Sequence, residues 1–246
     1  MKKFEISHFF TQWGAAATPK IIVNGEKKFG WHISAVNPLY EEFLSQFVPA
    51  LIKFLKEEGV KENTVFHVSD EPNDNHIQSY NAAKEILLKY SEDIPLVDAL
   101  SHYELYKNKV VQKPIVATDS IDEFIEKGAE NIWAYNCCAQ PVGVSNRYFS
   151  MPSSRNRVLG IQLYKYNISG FFHWGYNFYY SARSRCFINP YIVTDAGGAF
   201  PAGDSFVVYP GADGKPLKSL RLHVFHEGLQ DLRALQLAEK IAGREK

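Results

Sequence analysis

The chain is poor in the features that mark several large protein classes. Its 246 residues contain only three cysteines. Two of them are the neighbours Cys137 and Cys138, and with no CxxC pair or Cys/His cluster neither a disulfide framework nor a zinc site is expected. Redox compartment stays open. Charge of either sign is not in excess, since Lys plus Arg and Asp plus Glu number 27 each, so the electrostatic footprint of nucleic-acid or acidic-membrane binding is missing. No apolar run approaches the roughly 18 residues of a membrane span. The opening "MKKFEISHFFTQW" interrupts its apolar run at Glu5 and His8, unlike a signal peptide, and the compartment is left unassigned. No GxGxxG or Walker sequence points to a nucleotide, and neither a solenoid repeat nor a low-complexity segment breaks the chain. The expectation is one domain over residues 1–246 without cofactor or metal, and with a neutral partner.

Aromatic residues, by contrast, are plentiful at 14%. Trp and Tyr combine a flat apolar body with a polar tip, which suits stacking on hydroxyl-rich ligands such as sugars.

Short apolar runs alternate with longer amphipathic segments, the pattern of βα units and a parallel sheet. Strands are expected at 4–10, 64–68, 95–100, 115–118, 131–136 and 169–174. Helices are expected at 38–58, 75–90, 120–127, 153–166 and 219–241. In the first of these, Asn37 and Pro38 read as cap and first-turn proline, Gly59 as the stop, and Leu39, Phe43, Phe47, Leu51 and Leu55 as the buried face. The Gly/Pro/aromatic-rich stretch 177–214 is expected to be a surface loop with a hairpin. Polar residues collect at strand ends: His8, Asp70 and Glu71, Ser101 and His102, Asp119, Tyr135 and Asn136, His173 and Trp174. Such ends converge at the mouth of a (β/α)8 barrel. The fold class expected is therefore α/β of TIM-barrel type, incomplete at the N-terminus, with about six of eight strands present; a closed eight-stranded barrel would refute it.

The most informative stretch is "HVSDEPNDN" at 67–75. Two adjacent carboxylates cannot both ionise freely, so one stays protonated beside an anion. An acid next to a negative group is what glycosidic cleavage uses. Sequence neighbours on a strand face opposite ways, so Asp70 and Glu71 can serve one substrate only where the strand yields to a loop, as Pro72 enforces. An adjacent pair suits substrate-assisted catalysis, with the substrate's own 2-acetamido oxygen as nucleophile. Taken alone, "SDEPN" serves equally well as a helix start capped by Asn73 or Asp74.

Three stretches in order, "FHVSDEPN" (66–73), "IWAYNCCAQP" with "SNRYFSMPSSRNRVLGIQLYKYNISGFFHWGYNFY" (132–179), and "SLRLHVFHEGLQDLRAL" (219–235), resemble the catalytic domain of glycoside hydrolase family 123 and its relatives of unknown function. The resemblance implies a retaining N-acetyl-β-galactosaminidase in which Asp70 orients and stabilises the acetamido group and Glu71 is the general acid/base. It also implies a β-sandwich ahead of the barrel. His223, His226 and Leu232 stand where relatives commonly carry Glu, Arg and Tyr, and Phe178 and Tyr179 where a Trp is frequent.

Further candidate substrate-binding residues follow from position. Tyr135 and Asn136 end one strand, Tyr135 with its hydroxyl toward the mouth and Trp133 in the core. "HWGYN" supplies Trp174 as a sugar platform, with His173 and Tyr176 beside it. Asn146 and Arg147 either bond sugar hydroxyls or pin their loop. His67 is expected beneath the site, Cys137 and Cys138 as packed thiols, and Glu227 and Asp231 as an ion-pair set with Arg221 and Arg233. Partners expected are a glycan, no nucleic acid and no membrane. Two rival readings are a catalytically idle carbohydrate-binding relative, and a barrel fragment whose open sheet edges lead it to self-associate.

Overall fold

Helix formation is clearest in the first forty residues after the N-terminal strand, where capping and apolar spacing agree. The computed structural model of the chain describes residues 4–6 and 10–243; His8 lies outside them. Contacts divide the chain into two compact units, 1–116 and 117–246.

In the first unit, β1 (Phe4–Ile6) is followed by an antiparallel hairpin of β2 (Ile21–Val23) and β3 (Glu26–Phe29). Asn24 and Gly25 turn it, with φ of 52° and 81°, the left-handed pair that a two-residue hairpin demands. Next comes α1 (Pro38–Glu57), capped by the Asn37 side chain accepting from the Leu39 N–H at 2.9 Å. Its buried stripe is Tyr40, Leu44, Val48, Ile52 and Leu55, while Leu39 is exposed. This corrects the expected face by about one residue. Tyr40 is turned inward, its hydroxyl donating to Phe10 O at 2.6 Å, while Phe29 of the hairpin packs on both Tyr40 and Phe43, centroids 5.2 and 5.5 Å away. Each side chain so buried stabilises by about 1.5–3 kcal/mol.

Strand β4 (Thr64–Phe66) is buried throughout, as a strand covered on both faces must be. After a 3₁₀ turn over Asp74–His76 comes α2 (Ile77–Leu88), then β5 (Asp98–Leu100), the short α3 (Tyr103–Lys107) and β6 (Pro114–Ala117). Pairing is parallel and in chain order. β1 lies beside β4, the Phe66 N–H and C=O bond Pro95 and Val97 on the approach to β5, and β5 pairs with β6.

The second unit holds α4 (Ile121–Glu126), β7 (Trp133–Asn136), α5 (Ser153–Arg157), α6 (Leu159–Lys165), β8 (Gly170–His173), the hairpin β9 (Val208–Pro210) and β10 (Pro216–Lys218), and α7 (Leu220–Ala242). β7 and β8 are parallel in register from Trp133↔Gly170 to Asn136↔His173. A Cβ on Gly170 would lie 2.6 Å from the Trp133 ring, so the half-buried indole rests directly on backbone. Expected as one helix, 153–166 is two, broken at Val158. There α7 crosses at Gly228, whose own Cβ would stand 2.6 Å from the Arg157 carbonyl oxygen. The stretch 177–214 is no mere surface loop. Asp204, Ser205, Phe206, Val207 and Val208 are buried, because this segment runs back antiparallel along 176–178 through bonds from Val207 N to Tyr176 O and from Phe178 N to Ser205 O.

The ion pairs of α7 also differ from expectation. Asp231 and Glu227 pair with Arg157 of α5, at 2.7 and 3.4 Å, while the Arg221 guanidinium bonds the carbonyls of Arg147, Gly203 and Phe206. Among the described residues no helix is long and apolar enough to cross a membrane, and no group of three or more His, Cys, Asp or Glu is placed to hold a metal ion.

Candidate active site

Asp70 and Glu71 follow β4 after His67, Val68 and Ser69, and that short link is tied down by one buried carboxylate. Asp98, wholly inaccessible at the start of β5, accepts the Val68 N–H at 3.3 Å and the Ser69 N–H at 3.2 Å. His67 Nδ1 lies 3.2 Å from the same carboxylate, and the Tyr80 hydroxyl of α2 donates to it. His67 is buried, as expected. Burial, reinforced by the Asp98 charge, pushes the Tyr80 phenol well above its ordinary pKa, so it stays a donor. On the other side, Thr11 Oγ1 donates to the Val68 carbonyl and Ser69 Oγ to Gln12 O.

Glu71 has φ of +40°, a left-handed conformation that a non-glycine side chain adopts only at a cost of order 1–3 kcal/mol. The chain turns there, half-buried, and Pro72 follows. Strand alternation therefore no longer separates Asp70 from Glu71. Capping of the next turn falls to Asn73, whose side chain accepts the Asn75 N–H at 3.0 Å while its own N–H donates to His76 Nδ1 at 3.2 Å. The helix-start role open to "SDEPN" is thus filled by Asn73, with Asp74 the acidic residue of the first turn.

The remaining candidates belong to the second unit, at the ends of β7 and β8. Tyr135 is buried. Asn136, also buried, donates its amide to Ser145 O at 3.1 Å. Asn146 donates Nδ2 toward Cys137 O, Gln140 O and the Tyr148 hydroxyl oxygen, all within 3.0 Å, and accepts the Arg147 N–H. Of the two roles open to Asn146, pinning its loop is the one these bonds perform. Cys137 and Cys138 are half-buried.

A cluster of charge that sequence reasoning did not assemble sits beneath Trp174. Asp204, fully buried, accepts the Trp174 indole N–H at 3.1 Å and lies 3.6 Å from His173 Nε2. His173 Nδ1 accepts the Gly175 N–H at 3.1 Å, which leaves the ring proton on Nε2, toward Asp204. Burial and then the Arg147 charge depress the His173 pKa to about 4, against a smaller pull from Asp204, so the ring is neutral at physiological pH. Arg147 is buried with its guanidinium over Phe225 and Phe171, 4.7 and 5.5 Å from their centroids. Burial, with Arg221 nearby, lowers its pKa to about 9. Gly175 makes the arrangement possible, since a Cβ there would lie 2.4 Å from the Asp204 carbonyl. The half-buried Trp174 ring packs against Phe200 and Phe178, at 4.7 and 5.2 Å. Tyr176 is exposed. Asp204 carried no motif, and only its burial betrays it.

Comparison with solved structures shows similarity to a family 123 glycoside hydrolase from Clostridium perfringens, described as hydrolysing glycolipid glycans. The TM-score is 0.59 at 16% identity, over 84% of this chain and 36% of that one. The likeness shows a shared mixed α/β fold, and the chain spans about a third of that protein's length. No curated protein matches the chain. Residues 1–238 match the catalytic domain of glycoside hydrolase family 123, and the chain therefore belongs to that family.

Proposed function

We propose that the chain is the catalytic part of a retaining glycoside hydrolase that removes terminal N-acetyl-β-hexosamine, best fitted to N-acetyl-β-galactosamine, from glycans by substrate assistance. The observation that carries this reading is the adjacent Asp70–Glu71 pair at the end of a buried parallel strand, held by Asp98 and relieved of capping by Asn73. In this reading the acetamido carbonyl oxygen attacks C1 while Glu71 gives its proton to the leaving oxygen. Asp70 orients the amide N–H and balances the positive charge of the oxazolinium so formed. Glu71, now a carboxylate, takes a proton from water as that water attacks C1, and the sugar leaves with its configuration retained.

Trp174 offers an apolar face to a pyranose ring, and Tyr176 and Tyr135 contribute hydroxyls. His173, Asn136, Asn146 and Arg147 hold those groups in place. Parallel strands taken in chain order, with helices between them, support a barrel of the (β/α)8 kind with about six of its strands in this chain.

Nitrophenol release separates the possibilities. Cleavage of the N-acetyl-β-galactosaminide and not of the plain β-galactoside is expected. Glu71→Gln should lower kcat by about 10²–10⁴ on substrates with poor leaving groups while leaving binding intact. Cleavage of both sugars at similar rates would remove substrate assistance. Binding without turnover by the unaltered protein would favour the idle relative.

A further inference from the structure

Resting on the reading above, we propose that Trp13 is the platform of a second sugar subsite, taking the pyranose ring that departs with the leaving oxygen. The 13–15 turn is built against the loop that carries Glu71. Ser69 Oγ donates to Gln12 O at 3.1 Å, just before Asp70, and Ser79 Oγ donates to Gly14 O at 2.7 Å, just beyond the Asn73 cap. Trp13 lies between these two anchors. Its ring meets His76 edge-on, centroids 4.7 Å apart at 80°, and His76 is itself held by the Asn73 N–H.

This placement is strained and specific. Gly14 has φ of +77°, and a Cβ there would stand 2.9 Å from His76 Nε2, so glycine suits both the turn and the close approach of the His76 ring. Ala15, at φ +55°, adopts the left-handed region without that freedom. Strain of this kind persists where surrounding structure enforces it, and it collects at binding sites. Yet the side chain so carefully held is 57% exposed. Among the described residues its indole N–H has no hydrogen-bond partner, so it is open to a ligand hydroxyl. A large flat apolar face with a free donor at its rim, fixed in place, matches a neutral pyranose ring, whose C–H face stacks and whose hydroxyls accept. Glu71, as the acid, hands its proton to the leaving oxygen, and the ring bearing that oxygen lies on the side of the site where Glu71's own loop and its Trp13 brace stand.

Glu71→Gln protein, which binds without turnover, provides the test by calorimetric titration with methyl N-acetyl-β-galactosaminide and with the disaccharide N-acetyl-β-galactosaminyl-galactose. The disaccharide should bind roughly three- to tenfold more tightly. Adding Trp13→Ala should erase that gain and leave the methyl glycoside unchanged, while Trp13→Phe keeps part of it. A gain that survives Trp13→Ala, an absent gain, or an equal loss for both sugars overturns the subsite while the terminal-sugar reading stands. If neither sugar binds, the functional reading itself fails and the subsite with it.

Discussion

The carboxylate of Asp98 accepts the backbone N–H of Ser69, the residue immediately before Asp70, at 3.2 Å. One buried side chain on β5 thereby fixes where β4 delivers its two acids. Replacing it by alanine would leave the Val68 and Ser69 amides and the Tyr80 hydroxyl without their acceptor. Asp98→Ala is expected to destabilise by about 3–5 kcal/mol, as loss of one member of a buried charged network does. Tyr80→Phe removes a single bond and should cost about 1–2 kcal/mol. Urea unfolding measures both, and equal effects would show that Asp98 is not the hub of the network.

The crossing of α6 and α7 depends on having no side chains at two positions. A Cβ on Gly160 would lie 1.7 Å from the Gly228 carbonyl oxygen, and backbone cannot yield as the tip of a flexible chain can. Gly160→Ala should destabilise by about 3 kcal/mol or more, through forced separation of the helices. By contrast, removing the solvent-exposed Arg157–Asp231 pair with Arg157→Ala should change stability by less than about 1 kcal/mol. A small effect of Gly160→Ala in thermal unfolding would mean that the two helices can part at little cost.

Asp204 is the counter-charge to Arg147 and the acceptor of the Trp174 indole. Asp204→Asn keeps an acceptor and removes the charge beside the buried Arg147 guanidinium and the half-buried Arg221. A loss of about 3 kcal/mol in stability is expected, together with a several-fold rise in KM and little change in kcat if, as proposed, Trp174 carries the sugar and Asp70 and Glu71 the chemistry. Trp174→Phe should reproduce the KM effect without the full loss of stability. Steady-state kinetics beside urea titrations would expose a mistaken assignment if kcat fell instead.

What the sequence disclosed divides along physical lines. Local signals were legible: the Asn37–Pro38 start and the Gly59 stop bracket α1, Ser219 caps α7 by accepting the Leu222 N–H, and apolar runs locate β4 and β6. The carboxylate pair stood out because like charges rarely follow a buried strand without purpose. Asn24–Gly25 was equally legible as a hairpin turn and went unread. Long-range partners left no trace in spacing. Asp98 and Asp204 look like ordinary acids in sequence, and nothing local says that one will receive two backbone amides or that the other will neutralise a buried arginine 57 residues away. The split at Val158 was hidden for the same reason, since the helix that presses beside it, at Gly228, is distant in sequence.

His173 gives the pH dependence a definite sign. Its folded pKa of about 4 lies below the ordinary 6.5, because burial and the neighbouring Arg147 charge disfavour the imidazolium. The unfolded chain therefore takes up this proton near pH 6.5, whereas the folded chain resists until about pH 4. Above pH 6.5 the ring is neutral in both states and its stabilising contribution is complete. As pH falls from 6.5 to 4 the unfolded state binds the extra proton, and stability should decline by about 1.4 kcal/mol per pH unit, roughly 3 kcal/mol in all. Carboxylates add their own acid lability, so the informative quantity is a difference. His173→Gln removes the titrating ring and should show a shallower fall of unfolding free energy across pH 6.5 to 4 than the unaltered chain. Identical slopes in urea titrations at several pH values would mean that the ring becomes protonated in the fold without penalty, and that Asp204 outweighs both burial and Arg147.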